Sequence, residues 1–560
     1  MDKNAKTFVV FFSLLVIYLL PGIFGHTPWK QDENYTFGVI QSMYETGNWL
    51  VPINAGEPFM EKPPLYYWTA TLTMKLWSGL IPLHDAARSA TLFFSALNFC
   101  FFILLAKRVF KAENFQDFRI WVAFTLYICA PGILKHSHDM FSDTALTAGA
   151  TIGLYGIQGL INQEKIRSSV LFLSAGTVVS MLSKGIFIPG LLWMTLIISP
   201  LFLTSIRSRD FWRNCIFAGI ISSVFIIPWP VLLYLKHPTL FIEWFWENNI
   251  GRFLGFSVPE LGAKANQTRI PVAIFFFALP SGILSVIHII RNPLKRIFSR
   301  EEFAITFFMI MGLIILQLSA SSRALYLLPF VASMAILGSK MLSALKPSFI
   351  SYFTIFSSIL WSMIITFIWV IYILKLTLYK HHPLPLLERW LPASFDLHFT
   401  FLPCIFAVGI TFFWIGRFWL CKFLNPMLDA TLSWSLGTTV VWGLVFTLLV
   451  GWIDYTKGYE GVFSGLKTQL VSQYRSDDCM ASLHIGESEA PMLYYYTGIL
   501  HQPQQTFIKP KTCRWLIVLT DAVQSPPKGM QLFWIGNRPG DQHHKLVVYE
   551  SNNKTSHTVK

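Results

Sequence analysis

Two acidic residues and a Glu-Lys pair stand near the ends of one polar stretch, Gln31 to Trp68, QDENYTFGVIQSMYETGNWLVPINAGEPFMEKPPLYYW. Nothing else before residue 236 is both as long and as polar. Asp32 and Glu33 follow an apolar run of membrane-spanning length, so their carboxylates fall at the water edge of a bilayer, where ionisable groups are usually functional. Glu61 and Lys62 are followed by Pro63 and Pro64, which fix φ and disfavour helix just before them. A carboxylate at such an edge can act as a general base, and a lysine can hold a phosphate. The stretch reads as half of an active site at a membrane surface.

Other residues of the same kind recur at span boundaries. KHSHDMFSD carries His136, His138, Asp139 and Asp143. Two histidines beside carboxylates can ligate a metal, and the same residues serve equally as polar caps, with Asp143 an N-cap of the helix DTALTAGATIGLYG. Lys184 sits in a turn of only Ser183, Lys184 and Gly185. It either snorkels to headgroups or joins the backbone donors of the next helix on a phosphate. In WFWENNIGRFLGF, Arg252 lies among aromatics, as would a guanidinium gripping a phosphate with two prongs, while an interfacial belt accounts for the Trp and Phe residues. Arg323 and Tyr326, in SASSRALYLLPF, open a further span at the same level.

The elements that must position these residues are membrane helices. Of 560 residues, 53% are apolar, 16% aromatic and only 13% charged, against roughly 25% charged in soluble domains. The net charge of +14 comes from short Lys/Arg clusters between apolar segments, as topology determinants do. Neither basic arms nor stacking platforms appear, which argues against nucleic acid. No P-loop or dinucleotide fingerprint has the right flanks, so no nucleotide site is expected.

Spans are expected near residues 8–25, 88–106, 120–134, 143–161, 168–183, 185–203, 213–235, 270–290, 302–319, 325–345, 350–374, 400–416 and 433–452, about thirteen transmembrane helices in all. The first is too long for a signal-peptide core and no small-residue cleavage pattern follows it. Leu65 to Leu83 has three Thr and Lys75 near its middle, the composition of a helix lying in the interface. If it spanned instead, KRVFKAENFQDFR would fall outside, against the positive-inside tendency. In this register the basic clusters, from Lys107/Arg108 to Arg417/Lys422, are cytoplasmic, as is the N-terminus, while the loop 26–87 and the C-terminus are external. The expected organisation is a transmembrane domain over 1–453 and a small external α/β domain over 454–560. CMASLHIGES, MLYYYTGIL, TCRWLIVLTDA, QLFWIGN and HKLVVYES read as its short strands, with a helix near Val462 to Arg475. In an oxidising compartment Cys479 and Cys513 could pair.

These strings resemble a known family. Asp-Glu after the first span, then Met43, Gly47-Asn48-Trp49, Pro52, Gly56 and FMEKPPLYYW from Phe59 to Trp68, look like the membrane glycosyltransferases of the GT-C fold. The likeness is to the bacterial polyprenyl-phosphate-sugar transferases, among them the lipid A aminoarabinose transferases, and more distantly to protein O-mannosyltransferases. It implies a multi-pass protein of the bacterial inner membrane with its active site and C-terminal domain periplasmic. Asp32 would be the essential first-loop aspartate and Asp143 the second-loop one. Lys62, Lys184, Arg252 and Tyr326 would meet the donor phosphate. Glu61, with His138, would be a candidate ligand set for a divalent metal ion, and Glu33, Asp139 and Arg323 are secondary candidates. Two departures leave the sugar open: Tyr35 and Thr36 stand where those enzymes have Arg and Tyr, and Asn248 or Asn249 replaces a histidine before the third-loop arginine.

The reaction so implied moves a sugar from undecaprenyl phosphate to lipid A or another envelope glycan, with inversion at the anomeric carbon. A protein acceptor, or a transporter for the lipid-linked sugar, are the alternatives. The transporter would need charges near the centres of several spans, whereas these residues cluster at one edge. A non-catalytic scaffold would need neither the acidic residues nor the recessed lysine.

Overall fold

The computed structural model describes residues 3–30, 32–257, 269–320, 322–379, 395–420, 424–504, 513–541 and 543–552. Gln31, Lys422 and residues 258–268, part of the loop expected as the third external one, lie outside them. Among the described residues, eight helices are long and apolar enough to cross a membrane: Leu83–Val109, Asp143–Asn162, Ile166–Lys184, Arg209–Lys236, Ala324–Leu342, Pro347–Leu376, Phe401–Trp419 and Pro426–Lys457. The straight span expected over 270–290 is instead a pair, Arg269–Phe276 and Ser281–Arg291, bent by 109°. Pro280 stands at the break, where its ring and missing N–H stop the helical ladder. The other four expected segments are helical but shorter, at Val10–Leu19, Phe118–Ile128, Phe187–Phe202 and Phe303–Leu318. The one expected near 120–134 divides at Pro131, which begins a second short helix, Pro131–His136.

A seam of small residues sets the geometry of the helical hairpin Asp143–Asn162 and Ile166–Lys184. A Cβ on Gly149 would come 2.5 Å from Ser180 Oγ, one on Gly156 2.4 Å from the Leu173 nitrogen, and one on Gly176 2.3 Å from the Gly153 nitrogen. The two backbones therefore touch, as small residues allow between membrane helices. Because the helices run antiparallel, the first residue of one and the last of the other, Asp143 and Lys184, meet at the same end.

The polar first loop folds onto this bundle as two helices, Asp32–Thr46 and Leu65–Trp77. The second has 13 residues, about 20 Å at 1.5 Å per residue, too short to cross a hydrocarbon core of roughly 30 Å. Leu72, Leu76 and Trp77 on it are exposed, as an interfacial helix requires. The first is held from below by Arg88, which is fully buried. Its Nε donates to Glu33 Oε1 at 3.0 Å and its Nη1 to Asp85 Oδ1 at 2.8 Å, and Nη1 also reaches the carbonyls of Ile23 and His26 at 3.1 and 3.2 Å. Glu33 in turn accepts from the backbone nitrogens of Trp29 at 3.0 Å and Met140 at 2.8 Å. Glu33, a secondary site candidate, is placed as a structural anchor: its oxygens accept from donors beneath the loop.

The described part of the loop expected as the third external one is largely helical, with a π-helical turn over Glu243–Gly251 running into Arg252–Leu254. Beyond the last long helix, five strands form a mixed sheet in the spatial order His501–Pro503, Met480–Leu483, Trp515–Thr520, Lys545–Ser551, Met530–Gly536. The first three run parallel, and the last two join antiparallel. MLYYYTGIL, expected as a strand, belongs to a helix, Glu489–Thr497. Its β-prone tyrosines are overridden by Pro491 in the first turn and by Gly498, whose φ of 78° caps the last, the usual start and stop signals of a helix. The helix expected over 462–475 runs from Glu460 to Leu470. Cys479 and Cys513 are joined by a disulfide, with Cα atoms 4.9 Å apart.

Arg88→Leu should destabilise the protein by about 3–5 kcal/mol, because it strands two buried carboxylates. The midpoint of unfolding in detergent, followed by tryptophan fluorescence, measures this, and Asp85→Asn added to Arg88→Leu should recover part of the loss.

Candidate functional site

A cavity of about 460 Å3 opens where the first loop, the glycine-seamed hairpin and the π-helical turn converge. Its polar end is lined by Asp32, Tyr35, Glu61, Lys62, Asp143, Lys184, Arg252, Arg323 and Tyr326, and its other end by apolar residues such as Leu146, Leu191, Met194, Ile315 and Leu316. Four cations face three carboxylates around it. The sequence-based candidates Asp32, Asp143, Glu61, Lys62, Lys184, Arg252, Tyr326 and Arg323 are all brought together here.

Each is fixed by an identifiable contact. Lys184 Nζ bonds Asp143 Oδ1 directly and lies 4.4 Å from the centre of the Tyr326 ring. Asp143 therefore does not serve as a helix cap; its side chain is held by the lysine that the glycine seam delivers. Lys62 Nζ donates to the Tyr35 hydroxyl at 2.6 Å, and that hydroxyl donates to Asp32 Oδ1 at 2.7 Å. Arg252 Nη1 lies 3.3 Å from Glu61 Oε1. The loop that carries Glu61 and Lys62 is pinned from both sides, since Trp229 Nε1 donates to the Leu50 carbonyl at 2.9 Å and Asn248 Nδ2 to that of Met60 at 3.3 Å. Gly185, with φ of 101°, makes the tight turn after Lys184, and a Cβ there would strike Asn249 Oδ1.

The electrostatics follow from these contacts. Burial by itself would raise the Asp32 carboxyl, but the charge of Lys62, the hydrogen bond from Tyr35 and the charge of Lys184 more than offset it, so Asp32 titrates below the ordinary carboxylate value. Tyr35 is pushed up, by burial first and then by Asp32, and stays a neutral phenol between a lysine and a carboxylate. Burial works against the charge on Arg252, yet Glu61 raises its affinity for the proton above the ordinary value.

No family model matches the chain. The undecaprenyl phosphate-α-4-amino-4-deoxy-L-arabinose arabinosyl transferase of Pseudomonas savastanoi pv. phaseolicola is 23% identical over 333 residues, 58% of this chain and 59% of that protein. The transferase of the same name from Pectobacterium atrosepticum is 24% identical over 354 residues, 61% and 60% of the two chains. The matched region thus spans about three fifths of the curated relatives. The crystal structure of ArnT from Cupriavidus metallidurans bound to undecaprenyl phosphate matches with a TM-score of 0.70 at 16% identity, covering 98% of each chain.

The chain shares the ArnT fold.

Three expectations need correction within that frame. His138, expected with Glu61 as a metal ligand, lies away from the cavity lining. Its Nδ1 is 2.7 Å from the Leu134 carbonyl and its Nε2 2.6 Å from that of Tyr18, so both ring nitrogens face backbone carbonyls. Glu61 faces Arg252 instead, and among the described residues no three His, Cys, Asp or Glu side chains gather as a metal would need. The residues present do not fit a resident divalent ion, and an excess of cations already surrounds the cavity. Asp139 also lies off the lining, paired with His136 Nδ1 at 2.8 Å.

Two groups carry no such signal in the sequence. Tyr35 is expected there only as a departure from the aminoarabinose pattern, yet it is the link between Asp32 and Lys62. The other is Glu487, whose side chain reaches solvent beside the site. Desolvation of its carboxyl first, and the Glu61 charge second, raise it above the ordinary value, and its carbonyl accepts from Asn54 Nδ2 at 3.0 Å. It lies more than 400 residues along the chain from the first loop, and only the folded contact between the loop and the sheet region reveals it.

Tyr35→Phe removes one of the interactions that hold Asp32 low while burial remains, so the Asp32 carboxyl should titrate at higher pH. An infrared titration of the carboxylate band, assigned with Asp32→Asn, should show its midpoint moving to higher pH; an unmoved midpoint would mean that the lysine charges alone offset burial.

Proposed function

We propose that this chain is a glycosyltransferase that moves a sugar from undecaprenyl phosphate to an acceptor at the periplasmic face of a bacterial inner membrane, lipid A or another envelope glycan. The observation that carries the reading is the cavity itself, a cluster of fixed cations and carboxylates at the head of an apolar recess between helices. A prenyl chain belongs in hydrocarbon and its phosphate at the surface, and this cavity offers both. The shared fold with an ArnT that binds undecaprenyl phosphate and the likeness to two arabinosyl transferases support the same donor class.

The chemistry follows from where charge changes. As the bond from the anomeric carbon to the phosphate breaks, negative charge grows on the leaving phosphate, and fixed cations stabilise that state more than the ground state. Lys62, Lys184 and Arg252 take this role, with Arg323 at the rim and Tyr326 packed on Lys184. The acceptor oxygen attacks from the opposite face, which inverts the anomeric centre. With a hydroxyl acceptor, Asp32 is the base that takes its proton: its lowered pKa keeps it ionised, and Tyr35 and Lys62 orient it. With a phosphate acceptor no strong base is needed, and Asp32 and Asp143 instead orient the substrates. The sugar is left open by Tyr35, Asn248 and Asn249, which stand where the aminoarabinose pattern has other residues.

In cells carrying Asp32→Asn, lipid A should lose one sugar-sized mass while the lipid-linked donor accumulates, with turnover in membranes reduced about 10²–10⁴-fold. Mass spectrometry of both lipid pools measures it; an unchanged lipid A with accumulating donor would shift the acceptor elsewhere, and two unchanged pools would remove the transferase reading. Purified enzyme should keep its rate in the presence of a metal chelator, whereas a loss restored by added divalent ion would reinstate a metal.

A further inference from the structure

The carboxylates that line the cavity each have a partner: Asp32 has Tyr35, Asp143 has Lys184 and Glu61 has Arg252. Glu487, exposed beside the cavity, differs. Among the described residues its carboxylate meets no hydrogen-bond donor and forms no ion pair, although the charges of Glu61, Lys62, Asp32 and Arg252 all act on it. The two cations in that set are engaged closer by, Lys62 with the Tyr35 hydroxyl at 2.6 Å and Arg252 with Glu61 at 3.3 Å. The Tyr67 hydroxyl, buried and without a partner among the described residues, lies in the field of the same Glu61 and Glu487.

The backbone of Glu487 is nonetheless fixed. Its carbonyl accepts from Asn54 Nδ2 at 3.0 Å. Two residues further on, Glu489 accepts from Lys30 Nζ at 2.9 Å and from the Tyr459 hydroxyl at 2.6 Å. Pro491 packs on Gly38, where a Cβ would stand 2.3 Å from it. The turn that opens the helix Glu489–Thr497 is therefore locked onto the first loop, and it holds a bare carboxylate beside two others. A negative group here has the wrong sign to draw in a phosphate, and it adds to the repulsion between Asp32 and Glu61. Like charges gathered at a cleft without compensation are characteristic of positions that meet a ligand.

The parts of a lipid-linked donor follow a fixed order. With the prenyl chain in the apolar recess and the phosphate among Lys62, Lys184 and Arg252, the sugar comes to lie beyond those cations, toward the first loop and the C-terminal sheet. Glu487 stands on that side. We propose that Glu487 is a specificity-determining contact for the transferred sugar, its carboxylate accepting hydrogen bonds from hydroxyls of the glycosyl group. This rests on the transferase reading of the cavity. An ionised carboxylate only accepts, so it matches sugar hydroxyls turned toward it and offers nothing to a bare phosphate. The C-terminal sheet region thereby takes part in choosing the sugar, while the cations choose the phosphate.

The test uses the purified full chain in detergent and two probes, undecaprenyl phosphate and the lipid-linked sugar fraction extracted from cells lacking this protein. Native mass spectrometry counts both lipids on the chain and gives the mass of the bound sugar. Glu487→Gln keeps the backbone bond to Asn54 and should lower the ratio of sugar-bearing to bare lipid about tenfold, the effect of one hydrogen bond to a charged group. Binding of undecaprenyl phosphate itself should stay the same or tighten, because a negative charge near the cations is gone. Glu487→Asp, which keeps the charge and shortens the reach, should fall between the two. An unchanged ratio in Glu487→Gln, or a parallel loss of both lipids as a merely structural role would give, would overturn the proposal. So would wild-type protein that binds undecaprenyl phosphate but no sugar-bearing lipid. Wild-type protein that binds neither would remove the transferase reading, and this proposal with it.

Discussion

Arg88 has no contact with water, and a lone guanidinium in that position would be untenable; Glu33, Asp85 and three backbone carbonyls make it tenable. The arrangement runs in both directions. Glu33 is anchored by Arg88 and by the backbone of Trp29 and Met140, so one carboxylate joins the first loop, a membrane helix and the second loop. Asp32, the next residue back along the chain, is thereby given a fixed direction into the cavity. A buried ion pair of this kind is weak evidence for net stability but strong evidence for a fixed geometry, since any alternative arrangement leaves a charge unmatched. The division of labour between adjacent acids is the consequence: Glu33 holds the floor, and Asp32 lines the cavity.

The second constraint is steric. Lys184 reaches Asp143 only because two helices approach at backbone distance along Gly149, Gly153, Gly156 and Gly176. A larger residue on that seam would spread the helices, and Lys184 would return to the headgroup region that its length would otherwise favour. The π-helical turn over Glu243–Gly251 completes the other wall. Its extra residue per turn lets Asn248 and Asn249 bond the carbonyls of Glu243 and Trp244, five residues earlier, and so aims Arg252 at Glu61. π-Turns of this sort are costly and concentrate where a site needs a side chain re-aimed.

Much of this is legible in the amino-acid sequence itself. Composition and the charge clusters establish the membrane class, and the polar stretch with its Glu-Lys-Pro-Pro string locates one wall of the cavity. Every cation expected to meet a phosphate lies in that cavity, because cations at span edges have few roles other than topology and anion binding. The expectations that fail do so for local reasons. His136 and His138 form a ligand pattern, but a ring nitrogen paired with a neighbouring carboxylate, as in His136, or facing carbonyls, as in His138, looks the same in sequence as one free for a metal. MLYYYTGIL has strand-like residues, and the proline and glycine bounding it outweigh them. Glu487 carries no signal, since its proximity to the first loop depends on how the sheet packs against Asn54 and on Gly38, where a Cβ would meet Pro491 at 2.3 Å.

The charge around the cavity also bears on the order of events. Four cations and three carboxylates leave an excess positive charge that a phosphodiester donor would neutralise. At rest the cations are partly spoken for: Lys184 by Asp143, Arg252 by Glu61, and Lys62, through Tyr35, by Asp32. In the proposed reaction the leaving phosphate gains charge, so each cation is drawn away from its carboxylate as the bond breaks. A carboxylate released in this way becomes a stronger base at the moment when an acceptor hydroxyl must lose its proton. Tyr35 makes that link direct for Asp32, because a phenol that accepts from Lys62 donates more strongly to the carboxylate, and donates less once the lysine turns to phosphate. Leaving-group stabilisation and base activation are then one movement of charge along Lys62, Tyr35 and Asp32 rather than two separate catalytic devices.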